Sequence, residues 1–326
     1  MEKLYVLAIG LAVLFQACAP APAESNESAP TASNDAKAIK VSNMITDVPV
    51  KLGDYWYQGK GEINHYKLEQ NRYKDVHPGE VVMVFVTEDF LTDKQVKNDN
   101  YQNPNSTGVL KLNQIRRFST GIYDYSIMTS VFTPVDTDKF PHTLKVTQSS
   151  QDWCGHTFTQ LNYENDDYRY QLRSYFESEG DVDKTVPALL LEDELFNRLR
   201  MNPELLPTGK IKVLPSTTFA RLKHTEFAPM DAEVSRNKYI GKDFSGENLM
   251  AYQVKYPKAD RTLEIVYEAK APYPIIGWTD SYPSAFDKQM RTTKATRTNV
   301  LLTPYWENNK LEDTAMRKDL GLEVNY

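Results

Sequence analysis

From about residue 54 onward, large apolar side chains recur mostly at every second position, the period of a strand with one buried face. Ile127, Thr129, Val131 and Thr133 alternate with Ser126, Met128, Ser130 and Phe132, and Pro134 closes that run. Tyr168, Tyr170, Leu172, Ser174 and Phe176 share one face, with Arg169, Gln171 and Arg173 on the other. Met250-Tyr252-Val254-Tyr256 and Leu263-Ile265-Tyr267-Ala269 predict a hairpin that turns over residues 257–260. Tyr55–Tyr57 and Ile63–Leu68 predict an opening hairpin. Val81 to Val86 is apolar on both faces, so this strand should be covered on both sides.

One segment breaks the period of two. Between Ala188 and Met201, Leu191, Leu195 and Leu199 fall four apart, and Phe196 joins their stripe. Pro187 precedes it, acids fill its first turns, Arg198 and Arg200 its last, and Pro203 stops it. The expected fold is therefore mainly β: a large antiparallel sheet of roughly ten strands, curved like a half-barrel, with one embedded amphipathic helix over about 188–201.

Composition narrows the partners. The chain has 326 residues, 20 of them Tyr and only 14 Gly, and a formal charge of -6 with both signs interspersed. No basic stripe follows a phosphate backbone, so nucleic acid is not an expected partner. No paired Cys or His spacing predicts a metal, and no glycine-rich loop predicts a nucleotide cofactor.

The N-terminus has a different character. After Lys3, Leu4 to Phe15 is almost wholly apolar, a run of ~12 residues that falls short of the ~20 needed to span a bilayer. Ala17-Cys18 resembles the lipobox of bacterial lipoproteins, in which the cysteine takes a diacylglycerol. Cys18 is thus the expected lipid-attachment residue; a plain signal peptide cut near Ala19-Pro20-Ala21 is the alternative. Residues 1–18 then form the signal peptide and 19–45, rich in Ala, Pro, Ser and Glu, a disordered tether. Residues 46–326 form a single β-rich domain. Ala19 after the cysteine implies the outer membrane.

Chemistry concentrates in Ser149-Ser150-Gln151-Asp152-Trp153-Cys154-Gly155-His156. Trp153-Cys154-Gly155-His156 resembles a disulfide-isomerase site, but Thr157 stands where the resolving cysteine would be. In an extended chain Asp152, Cys154 and His156 share a face, yet alternate residues lie ~6.5 Å apart, beyond hydrogen-bond reach. His142 or His224 are the other candidate bases. The alternative to a binding module is a cysteine-dependent hydrolase or thiol enzyme with Cys154 and His156 as candidate catalytic residues. The favoured expectation is a non-enzymatic module in which Cys154 is buried and Trp153 and His156 meet a hydrophobic ligand or an envelope partner.

The lipobox-like start, Tyr-Trp-Tyr-Gln-Gly-Lys-Gly-Glu-Ile-Asn (55–64), Val-Phe-Val-Thr-Glu-Asp-Phe (84–90), Ser-Val-Phe-Thr-Pro-Val-Asp (130–136) and residues 149–156 are together similar to a group of uncharacterised envelope lipoproteins of Bacteroidetes-type bacteria. Some carry the label septum formation inhibitor Maf. The Ser-x-Ser-Pro-Arg-Arg signature of Maf-type pyrophosphatases is absent here. The resemblance implies a lipid-anchored location in the cell envelope and this architecture, and no known activity.

Overall fold

The computed structural model of the chain describes residues 52–322. The expected signal peptide, the expected lipid-attachment residue Cys18 and the expected tether lie outside the described residues.

The strands run in chain order as β1 (Gly61–Arg72), β2 (Asp75–Leu91), β3 (Ser106–Thr120), β4 (Tyr123–Pro134), β5 (Lys145–Asp152), β6 (Gly155–Glu164), β7 (Asp167–Arg173) and β8 (Val182–Pro187). A second series follows: β9 (Leu190–Leu191), β10 (Gly209–Leu214), β11 (Met230–Lys238), β12 (Leu249–Tyr256), β13 (Arg261–Glu268), β14 (Ile275–Pro283) and β15 (Met290–Thr303). Helices α1 (Leu195–Met201) and α2 (Thr217–Lys223) lie within the second series, and α3 (Met316–Asp319) follows it.

All strands join one 15-stranded sheet, ordered β8-β7-β6-β5-β4-β3-β2-β1-β15-β14-β13-β12-β11-β10-β9. Neighbours are antiparallel except β9 and β10. β1 sits near the middle, paired with β2 on one side and β15 on the other. Each arm of the sheet is thus a meander continuous in sequence.

The sheet is strongly curled. Arg221 of α2 bonds Asp152 at the end of β5 and Thr157 in β6, while the Arg261 guanidinium of β13 lies 3.8 Å from the ring centroid of Phe219, also in α2. β6 and β13 are eight places apart in the strand order. At about 4.8 Å per strand, a flat sheet would separate them by ~38 Å, whereas seven helical residues extend only ~10 Å. The two arms therefore fold toward each other, and α1 and α2 fill the concave side.

That filling explains why α1 is buried all round rather than amphipathic. Leu195, Phe196, Leu199 and Met201 pack into the main core. The polar residues are buried too, each with a partner. Asn197 Nδ2 donates to the Leu110 carbonyl at 2.9 Å, Arg198 pairs with Glu194 at 2.9 Å, and Arg200 forms a two-pronged pair with Glu62 of β1. Buried ion pairs add little net stability but are costly to break, so these contacts act mainly to fix where the helix sits.

The mainly antiparallel β fold, its curvature and the embedded helix agree with expectation. Three details differ. There are fifteen strands rather than ten, because short strands at the sheet ends carry little periodic signal. The helix starts at Leu195: Leu190–Leu191 instead pair in parallel with Val213–Leu214, and Glu192–Glu194 form a 3-10 turn. Tyr55–Tyr57 belong to a 3-10 turn, not a hairpin strand. The doubly apolar stretch of β2 is covered as expected: Met83 and Phe85 enter the concave core, and Val84 packs with Ile63, Leu320 and Leu322 on the other face.

Candidate functional site

The segment 149–156 forms the end of β5, a two-residue turn and the start of β6. Asp152 builds the turn. Its Oδ1 accepts from the backbone N–H of Cys154 at 2.7 Å and of Gly155 at 3.2 Å, the local bonding that suits Asp to turns. Glycine is required at 155 because the Tyr175 ring lies over it: an added Cβ would stand 2.5 Å from Tyr175 Cγ.

Asp152 Oδ2 faces inward and accepts from Arg221 Nη2 at 3.1 Å. Arg221 also donates through Nε to Thr157 Oγ1 at 3.0 Å and through Nη1 to His224 Nε2 at 3.2 Å. Since arginine only donates, His224 Nε2 is the acceptor and its proton resides on Nδ1. Nδ1–H then donates to Glu179 Oε1 at 2.6 Å, and Ser174 Oγ donates to Glu179 Oε2 at 2.5 Å. Burial alone would raise the Glu179 carboxyl, but the bonds from His224 and Ser174 outweigh it and hold the group below its ordinary value.

Local sequence sets α2 in place. Ser216 caps its N-terminus, accepting from Thr218 N at 3.1 Å and Phe219 N at 3.4 Å. At the other end His224 takes the left-handed conformation, φ 52°, where glycine is the usual residue. The side chain that glycine would lack is the one that reaches Glu179.

Beside this chain of contacts lies a cavity of about 200 Å³. Thr159, Leu172 and Val182 form its floor on β6, β7 and β8, and Ala220, Arg221 and His224 its roof on α2. Tyr170 and Phe227 make one wall with rings parallel, 4.7 Å apart at an interplanar angle of 1°. Lys184 and Glu226, paired at 2.7 Å, sit at the rim. The surface is thus apolar inside with a few fixed polar groups, the usual character of a small-molecule site.

Smaller cavities also adjoin α2. One of about 20 Å³ is lined by Asp152, Cys154, His224, Arg72 and Phe286 among others. One of about 50 Å³ lies deeper, bounded by Arg116, Glu192, Asp193, Asp280 and Phe196 among others. Desolvation pushes the Asp193 carboxyl up to about 6 and raises that of Asp280.

Of the residues singled out in the sequence, Asp152 and His224 meet in this network and Cys154 lies next to it. The others are placed elsewhere. Trp153 is 70% exposed at the tip of the turn, neither in the core nor in the cavity wall. His156 follows the turn, opposite Gln151, and is exposed on the face away from Thr157 and Thr159, so the in-line arrangement with Asp152 does not form. Cys154 is half-buried, in place of the buried thiol expected. Both His224 ring nitrogens are engaged by Glu179 and Arg221, which leaves neither to serve Cys154 as a base. His142 stacks on Tyr163, 4.7 Å between centroids, in another part of the arm.

Arg221, Glu179 and the Tyr170–Phe227 wall were not anticipated. A Ser216 cap after Pro215 was the available signal for α2; Glu179 had none, since its role depends on a loop that folds back over Gly155.

The fold and cavity define a cupped antiparallel-sheet protein with a helical plug. No known family, curated protein or solved structure matches the chain.

Proposed function

We propose that this is a lipid-anchored cell-envelope protein, held at the outer membrane through Cys18, that binds a small hydrophobic ligand without chemical turnover. The observation that carries the binding reading is the cavity between α2 and β6–β8. Its volume of about 200 Å³ exceeds the ~150 Å³ of an engineered apolar cavity that takes up benzene. Its charged neighbours are already paired, Arg221 with Asp152, Glu179 with His224 and Lys184 with Glu226, which suits a recognition surface better than a reaction centre. Toluene is a suitable probe, followed by NMR shifts of the Leu172 and Val182 methyl groups. Ala220→Leu, which fills the cavity from α2, should abolish the response; a response that persists unchanged in this variant refutes the site.

An envelope protein as additional partner is favoured by the exposed apolar tips at one end of the sheet. Ile122, Trp153, Tyr175 and Phe286, exposed by 83, 70, 61 and 43%, lie in connections after β3, β5, β7 and β14. Alternate connections of a meander share one end, so the four form a broken apolar rim. Cross-linking from position 153 in cells that disappears with Ile122→Ser would support this contact, and its persistence would count against it.

A further inference from the structure

Helix α2 stands between two cavities. Thr217, Ala220, Arg221 and His224 border the large one, while Thr218, Phe219 and Leu222 border the deeper one of about 50 Å³. The floor of the deeper cavity includes the concave face of β3, where Leu112, Gln114 and Arg116 follow one another at every second position.

Arg116 is a buried cation without a counter-ion. It is 8% exposed, and its buried Nε has no partner. Gln70, whose Oε1 accepts from Nη1, is its only hydrogen-bond partner among the described residues. Two other buried arginines show what a carboxylate does. Burial works against the charge of Arg200 and Arg261 too, but Glu62 in one case and Asp280 with Glu192 in the other outweigh it and hold both guanidinium groups above their ordinary value. At Arg116 desolvation prevails, and the guanidinium is held below that value. A buried charge without a partner is strongly unfavourable, so this one points to an anion that completes it.

The free donors define the kind of anion. With Nη1 given to Gln70, Nε and Nη2 remain, and their parallel N–H bonds form the edge that grips two oxygens of one planar group. The acids of the cavity wall do not fill that place. Glu192 and Asp280 are both held by Arg261, at 2.6 to 2.9 Å. Asp193 Oδ2 accepts from the Thr217 N–H at 2.9 Å, and burial pushes its carboxyl up to about 6, so in mild acid it carries little charge to repel a guest. The volume of about 50 Å³ is a third of the ~150 Å³ that takes up benzene, which limits the guest to a few heavy atoms.

We propose that the deeper cavity is a site for a small planar monoanion of formate size, held two-pronged by Nε and Nη2 of Arg116. It is separate from the hydrophobic-ligand site and does not depend on it. Formate and formamide share shape and size and differ in charge, so they test it directly. Each is titrated into the intact protein at constant ionic strength and about pH 5, where Asp193 is mostly uncharged. The readouts are the NMR signals of the Arg116 Nε–H and of the indole N–H of Trp278, another residue of the cavity wall. Formate should shift both saturably and bind at least about tenfold more tightly than formamide, as charged hydrogen bonds exceed neutral ones. Arg116→Lys keeps the charge without the two-pronged edge and should weaken formate about tenfold. Arg116→Met should abolish the effect of formate on Trp278. Equal binding of the two probes would show a merely polar cavity, and no saturable shift would show that water alone completes Arg116; either result overturns the site. A Trp278 response to formate that survives in Arg116→Met overturns it as well. The comparison of the two probes is made in the wild type, so it decides even if a variant folds poorly.

Discussion

Arg221 Nη2 lies 3.1 Å from Asp152 Oδ2, and through that contact a helix from one arm of the sheet is fastened to a hairpin turn of the other. Both side chains are nearly inaccessible, at 3% and 1%. Removing the guanidinium would leave a buried carboxylate uncompensated. Arg221→Met should cost about 3–5 kcal/mol in urea unfolding. Asp152→Asn added to it should restore part of that loss, because the orphaned charge is then gone. A loss below about 1 kcal/mol in the single variant would show that water reaches the pair.

Gly155→Ala should be more disruptive than a turn substitution usually is. The new methyl group meets Cβ and Cγ of Tyr175, which cannot swing aside without moving its backbone. That backbone leads into Ser174 and Glu179, so the contact with His224 should loosen. The expected cost is about 1–3 kcal/mol, with altered histidine NMR shifts at His224 as the specific sign. A normal melting temperature and unshifted His224 resonances would refute the coupling.

Asp193 should make stability fall as pH rises. Its carboxyl, near 3.8 when unfolded, is pushed by burial up to about 6 in the fold. Between those values the folded state holds more protons than the unfolded one, so its advantage is greatest in acid and declines toward pH 6. The full difference is about 3 kcal/mol. Asp193→Asn should remove this part of the pH dependence while its carbonyl still accepts from the Thr217 N–H. Parallel stability curves for the two proteins from pH 4 to 7 would contradict the assignment.

At the N-terminus, Cys18→Ala should abolish incorporation of a labelled fatty acid. Cys18 and Cys154 are the only cysteines of the chain, so intact mass separates the fates open to the Cys18 sulfur. A diacylglycerol adds the mass of two acyl chains and glycerol; a bond to Cys154 removes two hydrogens. The second result would refute the anchor.

Much of the architecture could be read from alternation alone. The hairpin at Pro257–Asp260 is found as β12 and β13, and the doubly apolar Val81–Val86 is covered on both faces. What escaped had a physical reason. Thr217–Lys223 is too short for a helical period to emerge, and Ser174 and Phe176 continue an alternating pattern although the chain has already turned at Arg173. Glu192, Asp193 and Glu194 read as solvated first-turn acids. In the fold Glu192 pairs with Arg261 at 2.6 Å and Glu194 with Arg198, partners supplied by tertiary structure and invisible to spacing. The site was legible only at its edge: Asp152 and His224 stood out, while their connector Arg221 resembled any helical arginine.

The pairing of β1 with β15 also governs how the chain can assemble. Within each arm, strands join neighbours in sequence, so their contacts can form as the polypeptide lengthens. The central seam is different, since Gly61 pairs with Thr303. It cannot close until nearly the whole domain has been synthesised, and closing so long a loop slows folding. Until then β1 presents a bare edge, which makes the interval before seam closure the period of greatest exposure to aggregation.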